Sequence, residues 1–257
     1  MNTLDCERPI GFFDSGVGGI SVLREAVRLL PGENYLYYGD NLHAPYGEKT
    51  PDEVRTLTWA AMDKLLSRSC KAIVIACNTA TSAAAPELRA RLKLPIIGME
   101  PALKPAAMLT QPGKVLVMAT PMTLKLPKFA RLMSLYGQDA IPLPCPGLVE
   151  YVENGELTGQ GVKNRLQELL TPYFNQSIKA IVLGCTHFVF LRSAIADVFP
   201  GDVPLVDGNE GTVRQLGRRL LQLGQLRENA KAPGTVTLLS SRDTPQMREL
   251  MERLLKI

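Results

Sequence analysis

The chain has 257 residues, 46% hydrophobic and 21% charged, with 29 basic and 25 acidic residues that leave a formal charge of +4. Its densest basic stretch, 214–227, interleaves with leucines and holds no aromatic residue, which describes the wet side of an amphipathic helix and gives no support for a nucleic-acid partner. Five cysteines without a CxxC pair, no basic-then-apolar segment over residues 1–8 and no run near the roughly 20 apolar residues of a membrane span argue against a disulfide framework, a zinc ribbon and a membrane partner, so a cytoplasmic protein with reduced thiols is expected.

In chain order, strand-like apolar runs at 9–13, 34–38, 72–76 and 95–97 alternate with helix-like segments over 20–30, 51–69 and 82–92. The pattern restarts after Gly113, with runs at 114–118, 141–143, 178–183 and 203–206 and helix-like segments over 126–136, 159–173 and 191–198. Such alternation predicts parallel βαβ units. Helical segments over 209–226 and 243–256 follow, and their leucines are expected to pack back on the first unit. Pro101, Pro105 and Pro112 cluster at the join, so two α/β domains are expected, one of residues 1–98 plus 209–257 and one of residues 99–208.

Two stretches repeat each other around a cysteine. Lys71-Ala72-Ile73-Val74-Ile75-Ala76-Cys77-Asn78-Thr79 answers Lys179-Ala180-Ile181-Val182-Leu183-Gly184-Cys185-Thr186-His187. Each reads as a buried strand that delivers a thiol to its carboxyl end, which is where open α/β sheets bind ligands. A strand-end cysteine is ordinarily inert packing, but the duplication points to chemistry. After Cys77, backbone N–H groups with the amide and hydroxyl of Asn78 and Thr79 suit a carboxylate, and a helix N-terminus there is expected to lower the thiol pKa. His187, one of only two histidines, shares a face with Cys185 in extended backbone and is suited to take or stabilise its proton.

Phe13-Asp14-Ser15-Gly16-Val17-Gly18-Gly19 is a strand end passing through a glycine turn into a helix. Its spacing matches neither a dinucleotide fingerprint nor a phosphate loop. Asp14 at the tip calls for an ammonium group or a thiol as partner. The polar loop 38–49 contains Pro45-Tyr46-Gly47, whose fixed turn presents backbone N–H groups, and His43 reads as a surface or supporting residue.

Together these motifs, with Cys145-Pro146, Glu150 and Glu153-Asn154-Gly155, resemble the glutamate racemases of the cofactor-independent aspartate/glutamate racemase superfamily, in order and over nearly the whole length. The resemblance implies an α/β fold of two pseudo-symmetric domains with mostly parallel sheets facing across a central cleft. It implies glutamate as the small-molecule substrate, no cofactor or metal, a homodimer, and supply of D-glutamate for peptidoglycan in a bacterial cytoplasm. By the same resemblance Cys77 and Cys185 are the acid/base residues on opposite faces of the substrate Cα, assisted by Asp14 and His187. Asp14, Ser15, Tyr46, Gly47, Asn78, Thr79, Thr186 and His187 would hold the amino acid, with Thr120 and Thr123 as further candidates. The chemistry is consistent, because inversion at a carbon acid needs a base on one face and an acid on the other.

Departures from the family pattern are Met122 in place of a glycine, which would narrow the pocket, Phe188-Val189 in place of aromatic-proline, Gly208 in place of a serine after Asp207, and His43 in place of an arginine. Rival readings are a racemase of aspartate or another amino acid, a thiol hydrolase built on Cys185 and His187, and a non-catalytic amino-acid sensor. A zinc site of Cys77, Cys185, His187 and Asp14 is disfavoured by the lack of close-spaced ligand pairs.

Overall fold

Strands covered on both faces need continuous apolar runs. The two cysteine-bearing repeats supply them: Ala72–Ile75 is buried throughout, and Ile178–Leu183 is buried over its last four residues. In the computed structural model, which describes residues 6–227 and 232–257, these runs are central strands of two parallel sheets. Residues 1–5, part of the stretch read above for a leader, lie outside the described residues.

The first sheet contains β1 (Ile10–Asp14), β2 (Tyr35–Gly39), β3 (Ala72–Ile75), β4 (Ile96–Gly98) and β9 (Val236–Ser240), in the order β4-β3-β1-β2-β9. The second contains β5 (Lys114–Ala119), β6 (Ala140–Pro144), β7 (Ile178–Leu183) and β8 (Leu205–Val206), in the order β6-β5-β7-β8. Every pairing is parallel. Apart from β9, the two sheets share one strand order, so β1 corresponds to β5 and β3 to β7.

The helices are α1 (Ile20–Leu29), α2 (Pro51–Leu66), α3 (Asn78–Arg91), α4 (Leu103–Ala107), α5 (Pro121–Lys125), α6 (Pro127–Tyr136), α7 (Leu148–Glu153), α8 (Gln160–Leu170), α9 (Arg192–Val198), α10 (Asn209–Gln222) and α11 (Pro245–Lys256). α1 buries Ile20, Val22, Leu23 and Ala26, and α10 and α11 both pack against it. α2 starts where the sequence supplies a full stop-and-start signal: Thr50 and Glu53 form a reciprocal capping box, with Pro51 at the first helical position. Among the described residues no helix is long and apolar enough to cross a membrane.

The structure departs from the sequence expectations in three places. α3 starts at Asn78 instead of 82, because Cys77 itself is the N-cap. The short helices α4, α5 and α7 lie in segments with no clear apolar period. β9 was not expected; it adds in parallel to the outer edge of β2, far along the chain from its neighbours.

A buried ion pair ties the chain where it runs back towards that edge. Lys71 Nζ donates to Glu33 Oε2 at 2.5 Å and to the carbonyls of Cys6 and Gln225 at 2.6 and 2.9 Å, while Glu33 Oε1 accepts from the Arg227 backbone N–H at 2.9 Å. Neither side chain has meaningful solvent contact. Removing one partner of a buried pair strands the other's charge, so Lys71→Met is expected to lower stability by about 3–5 kcal/mol. Adding Glu33→Gln should recover part of that loss, measured as the shift in urea midpoint of the single and double variants.

Candidate active site

Strand order reverses at β1 in one sheet and at β5 in the other, and crevices form beyond the carboxyl ends of strands at such points. The chain leaving the first sheet there contributes Ser15, Tyr46, Gly47, Cys77, Asn78 and Thr79 to one small cavity. The second sheet contributes Thr120, Thr123, Cys185, Thr186 and His187 to the same cavity. Every site residue expected from the sequence is therefore on its wall except Asp14. Its volume is about 10 Å³, room for no more than a water molecule. A groove of about 560 Å³ beside α1 and α11 is far roomier but is lined by no cysteine or histidine.

Cys77 caps α3 in extended backbone, and its Sγ accepts from the Ala80 N–H at 3.4 Å and lies 3.6 Å from Ser15 Oγ. The Ala80 N–H at the helix N-terminus pulls this thiol down, as expected, but is outweighed. Burial first, and then the Asp14 charge, push its pKa up to about 12. Asp14 is fully buried beneath the wall, where Oδ1 accepts from the Gly16 N–H at 2.8 Å and Oδ2 from the Thr186 hydroxyl at 3.1 Å. Burial raises its carboxyl to about 6 against the opposing pull of His187 and these hydrogen bonds.

Cys185 Sγ lies 3.7 Å from His187 Nδ1, and His187 Nε2 lies 2.7 Å from Glu153 Oε1. Burial alone would lower the imidazole, but the hydrogen bonds to Cys185 and Glu153, with the charges of Cys185 and Asp14, outweigh it and hold the ring well above its ordinary range. Glu153 is nearly out of water too, yet His187, the Val17 N–H at 2.6 Å and Asn41 Nδ2 at 2.8 Å hold it below the usual carboxylate range. The site therefore contains a buried ion pair next to one thiol and a lone buried carboxylate near the other.

Glu153 is the functional residue that sequence reasoning missed. It appeared only within Glu153-Asn154-Gly155, 34 residues from its histidine, a separation that carries no local pairing signal. The glycine turn was the available clue. A side chain on Gly16 would collide with Glu153, and one on Gly18 with His187 and Thr186. The missing side chains of these glycines clear space for the ion pair.

The remaining polar groups form two clusters. Tyr46 donates to Asp40 Oδ2 at 2.7 Å, and the half-exposed His43 lies 2.9 Å from Asp40 Oδ1, so His43 acts one residue behind the wall. The hydroxyls of Thr79, Thr120 and Thr123 lie 2.9–3.2 Å from one another. Asn78 Oδ1 is buried on the wall without a partner among the described residues. Met122 does not line the cavity, contrary to expectation, and Val189 faces the larger groove instead. Among the described residues no group of three or more His, Cys, Asp and Glu is arranged to hold a metal ion.

Residues 11–216 match the model of the Asp/Glu/hydantoin racemase family. A glutamate racemase of Clostridium perfringens is 52% identical over 252 residues, covering 97% of this chain and 96% of that one. The crystal structure of the Thermus thermophilus glutamate racemase in complex with beta-chloro-D-alanine superposes with a TM-score of 0.81 at 38% identity, over 97% of this chain and 94% of that one. The Francisella tularensis enzyme, solved in complex with D-glutamate, gives a TM-score of 0.83 at 27% identity, over 98% of this chain and 95% of that one.

The electrostatics of Cys77 yield a signed test. A negative charge nearby disfavours a thiolate, so Asp14→Asn should lower the pH at which Cys77 ionises. The pH dependence of Cys77 alkylation, quantified by mass spectrometry of its peptide, should shift to lower pH; an unchanged or higher midpoint would show that Asp14 does not act on this thiol.

Proposed function

Because the chain belongs to the Asp/Glu/hydantoin racemase family and is a racemase, we propose that it interconverts L- and D-glutamate without a cofactor, using Cys77 and Cys185 as the acid and the base. The observation that carries this reading is that two thiols from equivalent strand ends of two like sheets line one cavity.

Starting from L-glutamate, Cys185 as thiolate removes the Cα proton while the Cys77 thiol delivers its own proton to the opposite face, so the negative charge passes from one sulfur to the other. D-glutamate runs the same steps in reverse, with Cys77 as base. A thiol raised to about 12 stays protonated at neutral pH, which suits Cys77 to the donor role at rest. His187, paired with Glu153, sets an imidazolium 3.7 Å from the Cys185 sulfur, beside the base of this direction. Asp14 acts on the same apparatus through Thr186 and through its charge near Cys77.

Substrate recognition follows from the unsatisfied and donor groups on the wall. Asn78 Oδ1 accepts from the substrate ammonium, and the hydroxyls of Ser15 and Thr79 with the backbone N–H groups of Tyr46 and Gly47 hold the carboxylates, while Thr186 lines the cavity with its hydroxyl proton given to Asp14. A cavity of about 10 Å³ does not admit an amino acid, so the walls must part for entry, and the two domains read from the sequence, 1–98 plus 209–257 and 99–208, are the bodies that would separate. A homodimer in a bacterial cytoplasm, supplying D-glutamate for peptidoglycan, completes the reading.

Circular dichroism of purified protein with D- or L-glutamate, in chelator and with no cofactor added, should show loss of optical activity from either enantiomer, faster than with aspartate. Cys77→Ser and Cys185→Ser should each slow this by about 10²–10⁴-fold, the usual contribution of a positioned acid or base. A Cys185→Ser variant that racemises at the native rate would remove the two-thiol mechanism.

A further inference from the structure

Glu153 serves the site only while its two oxygens keep their donors. Oε1 is taken by His187 and by the Val17 N–H, whereas Oε2 depends on Asn41 Nδ2. The carboxylate, an acceptor only, takes the N–H end of the Asn41 amide, and the oxygen at the other end is left for an anchor on the far side. Ser240, the last residue of β9, donates its hydroxyl proton to Asn41 Oδ1 at 2.6 Å. The same hydroxyl accepts from the Arg242 N–H at 3.0 Å, which leaves its single proton for Asn41.

The end of β9 also grips the backbone on both sides of Asn41. The Ser241 N–H donates to the Gly39 carbonyl at 2.9 Å, and the Leu42 N–H donates to Ser241 Oγ at 3.0 Å. The strand that the sequence did not reveal therefore ends on the residue that holds the carboxylate that holds the imidazole beside Cys185. We infer that Asn41 and Ser240 are positioning residues for Cys185 and His187, acting through Glu153, so that the C-terminal strand is part of the catalytic apparatus. The effect on turnover rests on the racemase reading; the effect on His187 does not.

Losing the Ser240 hydroxyl removes the far-side anchor of the Asn41 side chain, so its amide no longer holds Glu153 Oε2 in one place. The carboxylate is then free to shift away from the imidazolium, whose charge it supports less at the longer distance. The ionisable groups around His187 are Cys185 on its own turn, Glu153 from α7 and Asp14 from β1, and only the Glu153 contact passes through Asn41. Ser240→Ala is therefore expected to make His187 titrate at lower pH, to move the alkaline limb of the pH–rate profile the same way, and to lower kcat about 3- to 10-fold with little change in KM. Asn41→Leu should do the same more strongly, about 10- to 100-fold, because a donor to a charged group is lost. Ser240→Thr, which keeps the hydroxyl, should restore wild-type behaviour.

With only two histidines, isotope-labelled imidazoles give two NMR titrations, and half-exposed His43 is the internal reference. A His187 titration unchanged in folded Ser240→Ala and Asn41→Leu would overturn the inference, even if the rate fell. A His187 shift in a protein whose wild type does not racemise glutamate would uphold the inference and refute the proposed activity.

Discussion

Glu153 and His187 meet at 2.7 Å almost wholly out of water, and a charge pair in such a place persists only where the remaining lone pairs and protons are also engaged. The fold is arranged around that requirement. The turn after β1 brings the Val17 N–H to the carboxylate, and the loop after β2 brings Asn41. Glycines at 16 and 18 leave the space that the pair occupies. The pair also joins the two sheets, since Val17 and Asn41 follow strands of the first, while His187 follows a strand of the second.

The two thiols sit at equivalent strand ends in unequal surroundings. Cys77 is buried near the Asp14 carboxylate, which opposes ionisation, and Cys185 faces an imidazole held protonated. The proposed inversion at carbon uses one sulfur with a proton and one without. The two strand ends are equivalent, and what differs is the group beside each sulfur: Asp14 near Cys77, the Glu153–His187 pair near Cys185. Thr186 links the two environments by donating to Asp14 from the turn that holds Cys185 and His187.

The parallel sheets and both cysteines were legible in the sequence because their signal is local: β-branched runs, each ending in a thiol and then small polar residues. The other residues expected at the site, several of them only through the family resemblance, also line the cavity, with the exception of Asp14. Glu153 was not legible as a site residue, since a carboxylate on a short helix and a histidine in another turn share no spacing rule. β9 was missed because parallel pairing at a sheet edge is decided by the end of a long connection, not by the strand's own residues. The direction of the Cys77 shift was misread for a related reason. A helix N-terminus can be seen in sequence, but full burial and the position of Asp14 come only from tertiary packing. Met122 stood out as a departure in sequence, yet it is not among the residues that line the cavity.

Early-time isotope tracing tests the two-thiol account most directly. L-glutamate is incubated with the protein in D2O, and at low conversion the enantiomers are separated and weighed by mass spectrometry. Separate acid and base on opposite faces predict deuterium at Cα of the D-glutamate formed and none in the L-glutamate recovered. Unlabelled D-glutamate, or label entering L-glutamate faster than D-glutamate appears, would mean that one group handles the proton on both faces and would contradict the account.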